Sequence, residues 1–251
     1  AAPSSGQPGW RFSNRQTTYL VHLPQTFSAY WTSLSSSVRR SFERRKKGLN
    51  QKCHDDVRMR RFTQKEEMGL LHQSLTAVWQ RSWHAKFGMY EPPPLPCLEG
   101  LAAEGWMRSY VLMAEGSPVA YQLGYQYRET YYCDSIGFDA GWRDYSPGKV
   151  LSHLLIEDLF GERTLRTLDF GFGYNDYKRD LGNHAEERAQ ASLALTARGR
   201  VVLSGVDASE RLGAAARDLS RKFGIYKRLR DRLHQVSAPR GNEPGGAKGG
   251  G

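Results

Sequence analysis

The chain has 251 residues, of which 39% are hydrophobic and 12% aromatic; its mean hydropathy is −0.63 and its formal charge at pH 7 is +10. That length can bury a full core, and no apolar run reaches the roughly 20 residues of a membrane-spanning helix, which argues against a membrane-embedded protein. Cys53, Cys97 and Cys133 are odd in number and lack CxxC spacing, and the seven histidines form no HExxH motif, so neither a disulfide framework nor a metal site is expected.

Those thiols point to a reducing, cytoplasmic location. Ala1 to Gly9 carry no initiator Met and no basic-then-apolar leader, which predicts that the sequence starts inside a longer reading frame. The charge is uneven: residues 39–61 carry +7 and residues 217–234 carry +5, leaving −2 for the rest. Such patches suit nucleic acid, acidic lipid or a phosphorylated ligand, and a solvated helix face accounts for them as well.

Residues 1–15 are expected to be a disordered or truncated linker. QTTYLVHL, residues 16–23, reads as a strand ended by Pro24. A helix follows from Phe27, with Tyr30, Trp31, Leu34, Val38 and Phe42 repeating at steps of three and four; its basic last turns, Arg39 to Lys47, stop at Gly48. Residues 16–55 would thus be a strand and basic helix linking from a missing N-terminal unit. VRMRRF from Val57 reads as a strand, and Gln64 to Lys86 as a long helix with an inward stripe from Met68 to Trp83. After the Pro92–Pro96 run comes a short helix, Leu98 to Glu104, closed by Gly105. Arg108–Glu115, Pro118–Tyr127 and Glu129–Phe138 read as an antiparallel meander.

The loop 139–145 then feeds a helix with Ser146 as N-cap and Pro147 at the first helical position. Leu165–Gly171 reads as a strand, Asp176–Leu181 as a short helix, and Arg188–Thr196 and Arg200–Leu203 as two more strands. A basic helix is expected over about 209–234, and a disordered Gly/Pro-rich tail over 237–251.

From Val57 onward the order is strand, helix, helix, three antiparallel strands, helix, strand, helix, strand, strand. This predicts an α/β (α+β mixed-sheet) domain over residues 56–206, in the element order of the GNAT acyltransferase fold. The Ser-Pro-Gly helix start lies at the end of a sheet strand, where unpaired amides and a positive helix dipole suit phosphate; Gly148 and Lys149 are the candidates for a diphosphate. The same residues serve equally as a well-defined helix start.

Several stretches resemble the CelD-like acyltransferases associated with cellulose and exopolysaccharide biosynthesis: LPQTFSAYWTSLSSSVRRSFERR, WQRSWHAK, LAAEGWMRSYVLMAEGSPVAYQLGY, GFDAGWRDYSPGKVLSHLLIEDL and LDFGFGYNDYK. That family is similar in fold to the Fem-type peptidyltransferases, which often carry two such units in tandem. The resemblance implies transfer of an acetyl or longer acyl group from acyl-CoA to an amine or hydroxyl on a glycan or amino-acid-like acceptor. It also implies cofactor contacts along Ser146 to Val150, and Ser135 and Ile136 on the preceding strand are counted with them. One departure is visible: Arg143-Asp144-Tyr145-Ser146-Pro147-Gly148 holds a single glycine where GNAT enzymes have Gln/Arg-x-x-Gly-x-Gly/Ala, and Pro147 lacks an N–H.

Direct acyl transfer needs a base, an oxyanion donor and a proton for the leaving thiolate. The expected roles are deprotonation by Asp169 or Asp176, protonation of sulfur by Tyr177, and charge stabilisation or acceptor binding by Lys178. Each of these side chains serves as well in a structural role: capping for Asp169, packing for Tyr177, a salt bridge for Lys178. The rival readings are a catalytically silent scaffold of a polysaccharide-synthesis complex and, more weakly, a nucleic-acid binder; Fem-type relatives keep aminoacyl-tRNA among the donors.

Overall fold

The computed structural model describes residues 10–162 and 164–222. The expected tail at 237–251 and the far end of the basic helix lie outside these residues. Residues 14–189 form one compact unit; the described residues 10–13 and 190–222 fall in a second.

Seven strands form one sheet: β1 (Trp10–His22), β2 (Val57–Phe62), β3 (Ser109–Ala114), β4 (Ser117–Tyr127), β5 (Thr130–Phe138), β6 (Thr167–Asp169) and β7 (His184–Leu193), in the order β2-β3-β4-β5-β6-β1-β7. The pairs β2–β3, β3–β4, β4–β5 and β1–β6 are antiparallel, and β5–β6 is parallel. The first strand in the chain is therefore inserted near the far edge, and it begins six residues before the expected Gln16. Asn183 secures it, accepting from the His22 amide and donating to the His22 carbonyl, each at 2.8 Å.

The meander follows from side-chain alternation. Tyr110, Leu112 and Ala114 of β3 enter one core; Val111 enters the other. With both faces covered, the strand reads as a nearly continuous apolar run. One face carries α3 (Met68–Arg81) and α4 (Leu95–Ala103), which bury Met68, Leu71, Leu75, Val78 and Leu98. The other carries α1 (Phe27–Ser33), α2 (Ser36–Lys52) and α5 (Pro147–Leu159), with Tyr30, Phe42, Leu151, Leu155 and Ile156 in the core.

Several boundaries differ from the sequence reading. The single helix expected from Phe27 is broken at Leu34, whose extended backbone (ψ 148°) lets Ser35 cap α2 by accepting from the Val38 amide. Gly48 does not stop it, because buried Leu49 anchors the next turn. The helix expected over 64–86 leaves its axis at Ser82, whose hydroxyl bonds the Trp79 carbonyl at 2.7 Å. Trp83 is consequently 46% exposed and no part of the stripe. The strand expected at 200–203 lies instead within α7 (Ala197–Lys222): Thr196 caps the Gly199 amide at 3.0 Å, and the Arg200 amide already bonds the Thr196 carbonyl.

Helix α5 is tied to the sheet by an ion cluster around the buried Arg108. The Arg108 side chain, 3% exposed, donates to Asp158 at 2.6 Å and pairs with Glu162 at 3.1 Å, while the Tyr110 hydroxyl donates to Asp158 at 2.8 Å. Burial works against the Asp158 charge, yet the hydrogen bonds from Tyr110 and Arg108 prevail and hold its carboxyl below the ordinary range. Asp158→Ala, which leaves Arg108 with the more exposed Glu162 as its ion partner and frees the Tyr110 hydroxyl, should cost about 2 kcal/mol in denaturant unfolding at pH 7. A lowered folded pKa contributes stability above the unfolded carboxylate pKa and loses it as pH falls, so the gap between wild type and variant should narrow in acid.

Candidate functional site

The sheet parts at Asp169. Strand β5 pairs with β6 only through Thr130↔Thr167, Tyr131↔Leu168 and Tyr132↔Asp169, and then runs on from Cys133 to Phe138 against β4 alone. Beyond Asp169 the chain turns through Gly171, at φ +67°, where an added Cβ would sit 3.1 Å from the Cys133 carbonyl. Asp169, 4% exposed, holds this turn: one carboxylate oxygen accepts from the Gly171 amide at 2.7 Å, and the other is bound by the Arg188 guanidinium. Lys178, from α6 (Asp176–Leu181), closes the turn from above by donating to the carbonyls of Phe172 at 2.8 Å and Gly171 at 3.4 Å.

The parting opens a cleft of about 300 Å³. Cys133, Ser135 and Ile136 line it from β5, Tyr177 and Lys178 from α6, and Trp83, His84 and Tyr90 from the segment after α3. A second cavity of about 240 Å³ lies between α2, α5 and α6, and Tyr177 lines both. Burial pushes the Tyr177 phenol well above its ordinary pKa and lowers that of Lys178.

The expected site residues are thus distributed unevenly. Ser135, Ile136, Tyr177 and Lys178 meet at the cleft, and Lys149 lines the second cavity. Asp169 lies behind the turn with both oxygens engaged, and Asp176 lines neither cavity; it accepts from the Tyr174 hydroxyl at 2.9 Å and pairs with Arg179 at 3.4 Å.

The start of α5 differs from the expectation in detail. Ser146 adopts a left-handed backbone (φ 50°, ψ 52°), and its side chain makes no capping bond. Its carbonyl accepts the amides of Lys149 at 3.0 Å and Val150 at 3.2 Å, so neither amide is bare. Buried Gly148 faces Ile136 and Phe138, within 3.7 Å of a notional Cβ. The glycine packs helix against strand, a role the turn sequence did not distinguish from ligand approach.

His84 was absent from the expected set. Its Nδ1 is buried without a hydrogen-bond partner, its ring lies 4.2 Å from Trp83 and 5.0 Å from Tyr90, and burial lowers its pKa, so it is neutral at pH 7. The early end of α3 at Ser82 turns it toward the cleft, a break that periodicity from Met68 to Trp83 conceals.

A family model described as an acetyltransferase (GNAT) domain matches residues 36–179, more than half of the chain. This chain belongs to the GNAT acetyltransferase-domain family. Solved structures agree in fold. The C-terminal domain of a putative lysylphosphatidylglycerol synthetase from Agrobacterium fabrum superposes with a TM-score of 0.50 at 13% identity, over 78% of this chain and 65% of that one. FemX gives 0.52 at 10% identity, over 73% and 65%, and a conserved protein from Bacteroides thetaiotaomicron 0.53 at 12%, over 74% and 62%. The chain therefore spans less than two thirds of each of these three structures. No curated protein sequence matches it. Among the described residues no group of three His, Cys, Asp or Glu side chains could hold a metal ion, and no helix is long and apolar enough to cross a membrane.

In this GNAT domain Gly171 supplies the left-handed turn at which β6 leaves β5. Gly171→Ala should cost roughly 1–2 kcal/mol, from the left-handed backbone and the Cys133 contact, read as a lowered denaturant midpoint at unchanged slope.

Proposed function

We propose that the domain transfers an acyl group from acyl-CoA to an amine or hydroxyl of a sugar-linked or amino-acid-like acceptor, with the reaction in the cleft where β5 leaves β6. The observation that carries this reading is the parting itself: a family match to GNAT acetyltransferases coincides with an open strand edge, Cys133 to Phe138, beside α5 and α6. Such an edge offers unpaired backbone groups to an extended ligand arm. The CelD-like resemblance adds cell-surface polysaccharide as the acceptor context.

The donor supplies an activated thioester carbonyl, and the chain supplies position and proton handling. His84, neutral and lining the cleft, takes the acceptor proton; the imidazole is a better base here than Asp169 or Asp176, both of which are held in ion pairs. Tyr177 stays protonated because it is buried, and it hydrogen-bonds the departing sulfur. Lys178, which lines the cleft, acts chiefly by fixing the Gly171–Phe172 carbonyls, and its ammonium stabilises developing negative charge. The exposed aromatics Trp83, Tyr90, Phe172 and Tyr174 at the cleft suit the apolar faces of sugar rings.

One observation favours the alternative, a GNAT-fold scaffold without catalysis: the amides of Lys149 and Val150 are already taken by Ser146. Calorimetric titration with acetyl-CoA separates the two, since the scaffold gives no binding heat. For the enzyme, His84→Gln should lower kcat/KM about 10²-fold or more with an amino-sugar acceptor, measured by thiol release. Because burial lowers the His84 pKa, the wild-type base is active above that value and is lost as pH falls through it; the acid limb should disappear in the variant. Lys178, Asp134, Tyr90 and Tyr177 also line the cleft, so an acid limb that persists in His84→Gln would assign the proton transfer to another group.

A further inference from the structure

The cavity of about 240 Å³ between α2, α5 and α6 has no role in proton transfer, yet it has the chemistry of an anion site. Ser37, Ser41 and Arg45 of α2 line it with Lys149 and His153 of α5. Arg45 contacts the Ser41 hydroxyl, and neither Arg45 nor Lys149 makes an ion pair among the described residues. His153 is 3% exposed, and both of its ring nitrogens lack a partner. Phe42 stacks on that ring at 3.5 Å and Trp31 meets it edge-on at 4.5 Å. Burial first, and then Lys46, lower the His153 pKa to about 4, so at pH 7 it is neutral and sets no charge against Arg45 and Lys149. Unpaired buried polar groups of this kind are rare in native proteins and call for a ligand or water.

The cavity and the cleft share one lining residue. Tyr177 lines both spaces, and Lys149 stands on the first turn of α5, whose dipole adds positive potential. A donor reaching from the cleft past Tyr177 would bring its far end against α2. At that point the α5 backbone has little to give, because Pro147 has no N–H and Ser146 occupies the next two amides after Gly148.

We propose that the side chains of Arg45 and Lys149, with the Ser37 and Ser41 hydroxyls, hold the phosphate groups of the acyl-CoA donor in place of the α5 backbone. The inference rests on the acyl-CoA reading above. It gives the basic face of α2 a ligand, and it explains how a loop with one glycine retains a nucleotide-ended donor: the charge is delivered by side chains from a helix that precedes β2. Asp180 also lines the cavity and opposes an anion, but Arg179 pairs with it at 2.9 Å.

The test is isothermal titration of the full chain with CoA and, separately, with pantetheine, which lacks the phosphates. Arg45→Ala and Lys149→Ala should each weaken CoA binding roughly tenfold, as expected for a lost charge-assisted contact, and leave pantetheine binding unchanged. Arg45→Lys should recover most of the loss, and circular dichroism should show all variants folded. Asp180→Asn should tighten CoA binding. If the wild type binds CoA and both alanine variants bind it equally well, the phosphate assignment is wrong and the donor reading stands. If the wild type gives no heat with CoA, the donor reading falls and this assignment falls with it. Equal losses for CoA and pantetheine would also overturn the assignment, since the effect would then not be on the phosphates.

Discussion

The arrangement depends on one carboxylate. Asp169 ends the pairing of β6 with β5, and its two oxygens are committed to opposite sides, one to the Gly171 amide and one to Arg188 of β7. A strand that continued past Asp169 would pair with Cys133 and its successors and close the sheet. Because the chain is instead bent back at Gly171, β5 keeps a free edge on this side. The cleft is therefore a consequence of a failed strand pairing, held open by a half-buried ion pair and by the Lys178 clamp on the same turn.

The remaining architecture keeps that edge rigid. Helix α5 lies across β3, β4 and β5, buries Leu151, Leu155 and Ile156, and is locked at its far end by Arg108 through Asp158 and Glu162. Its first turn packs Gly148 onto Ile136 and Phe138, so the strand that borders the cleft is supported from behind. On the opposite face, the premature end of α3 at Ser82 releases Trp83 and His84 toward the opening. The end of α3 and the start of α6 thus line one space, and Tyr177 of α6 also lines the cavity beside α2.

Where the chain ran against its local pattern, a side-chain oxygen or a left-handed residue decided the outcome. The stripe from Phe27 to Phe42 is continuous in period, but Ser35 offers a cap that splits it into two helices. Ser146 has the residue type of an N-cap but turns left-handed after the 3-10 turn 140–145, so its carbonyl and not its hydroxyl engages α5. Arg200 to Leu203 has strand composition but, among the described residues, pairs with no strand; with Thr196 supplying a cap, helix satisfies those amides locally.

The sequence by itself determined the element order from Val57 as far as the strand after α6, the antiparallel meander, the positions of α5 and α6, and through them the membership of Tyr177, Lys178, Ser135 and Ile136 in one region. Those features are local, written in side-chain period, turn residues and a proline at a helix start. Only the tertiary structure decided that β1 is inserted between β6 and β7, that Asp169 and Asp176 are tied up in ion pairs, and that His84 and Arg45 stand at the two cavities. Such facts depend on contacts between residues up to about 170 positions apart, as between Thr17 and Glu187. No local pattern encodes them, because the partner that consumes or frees a polar group is chosen by packing.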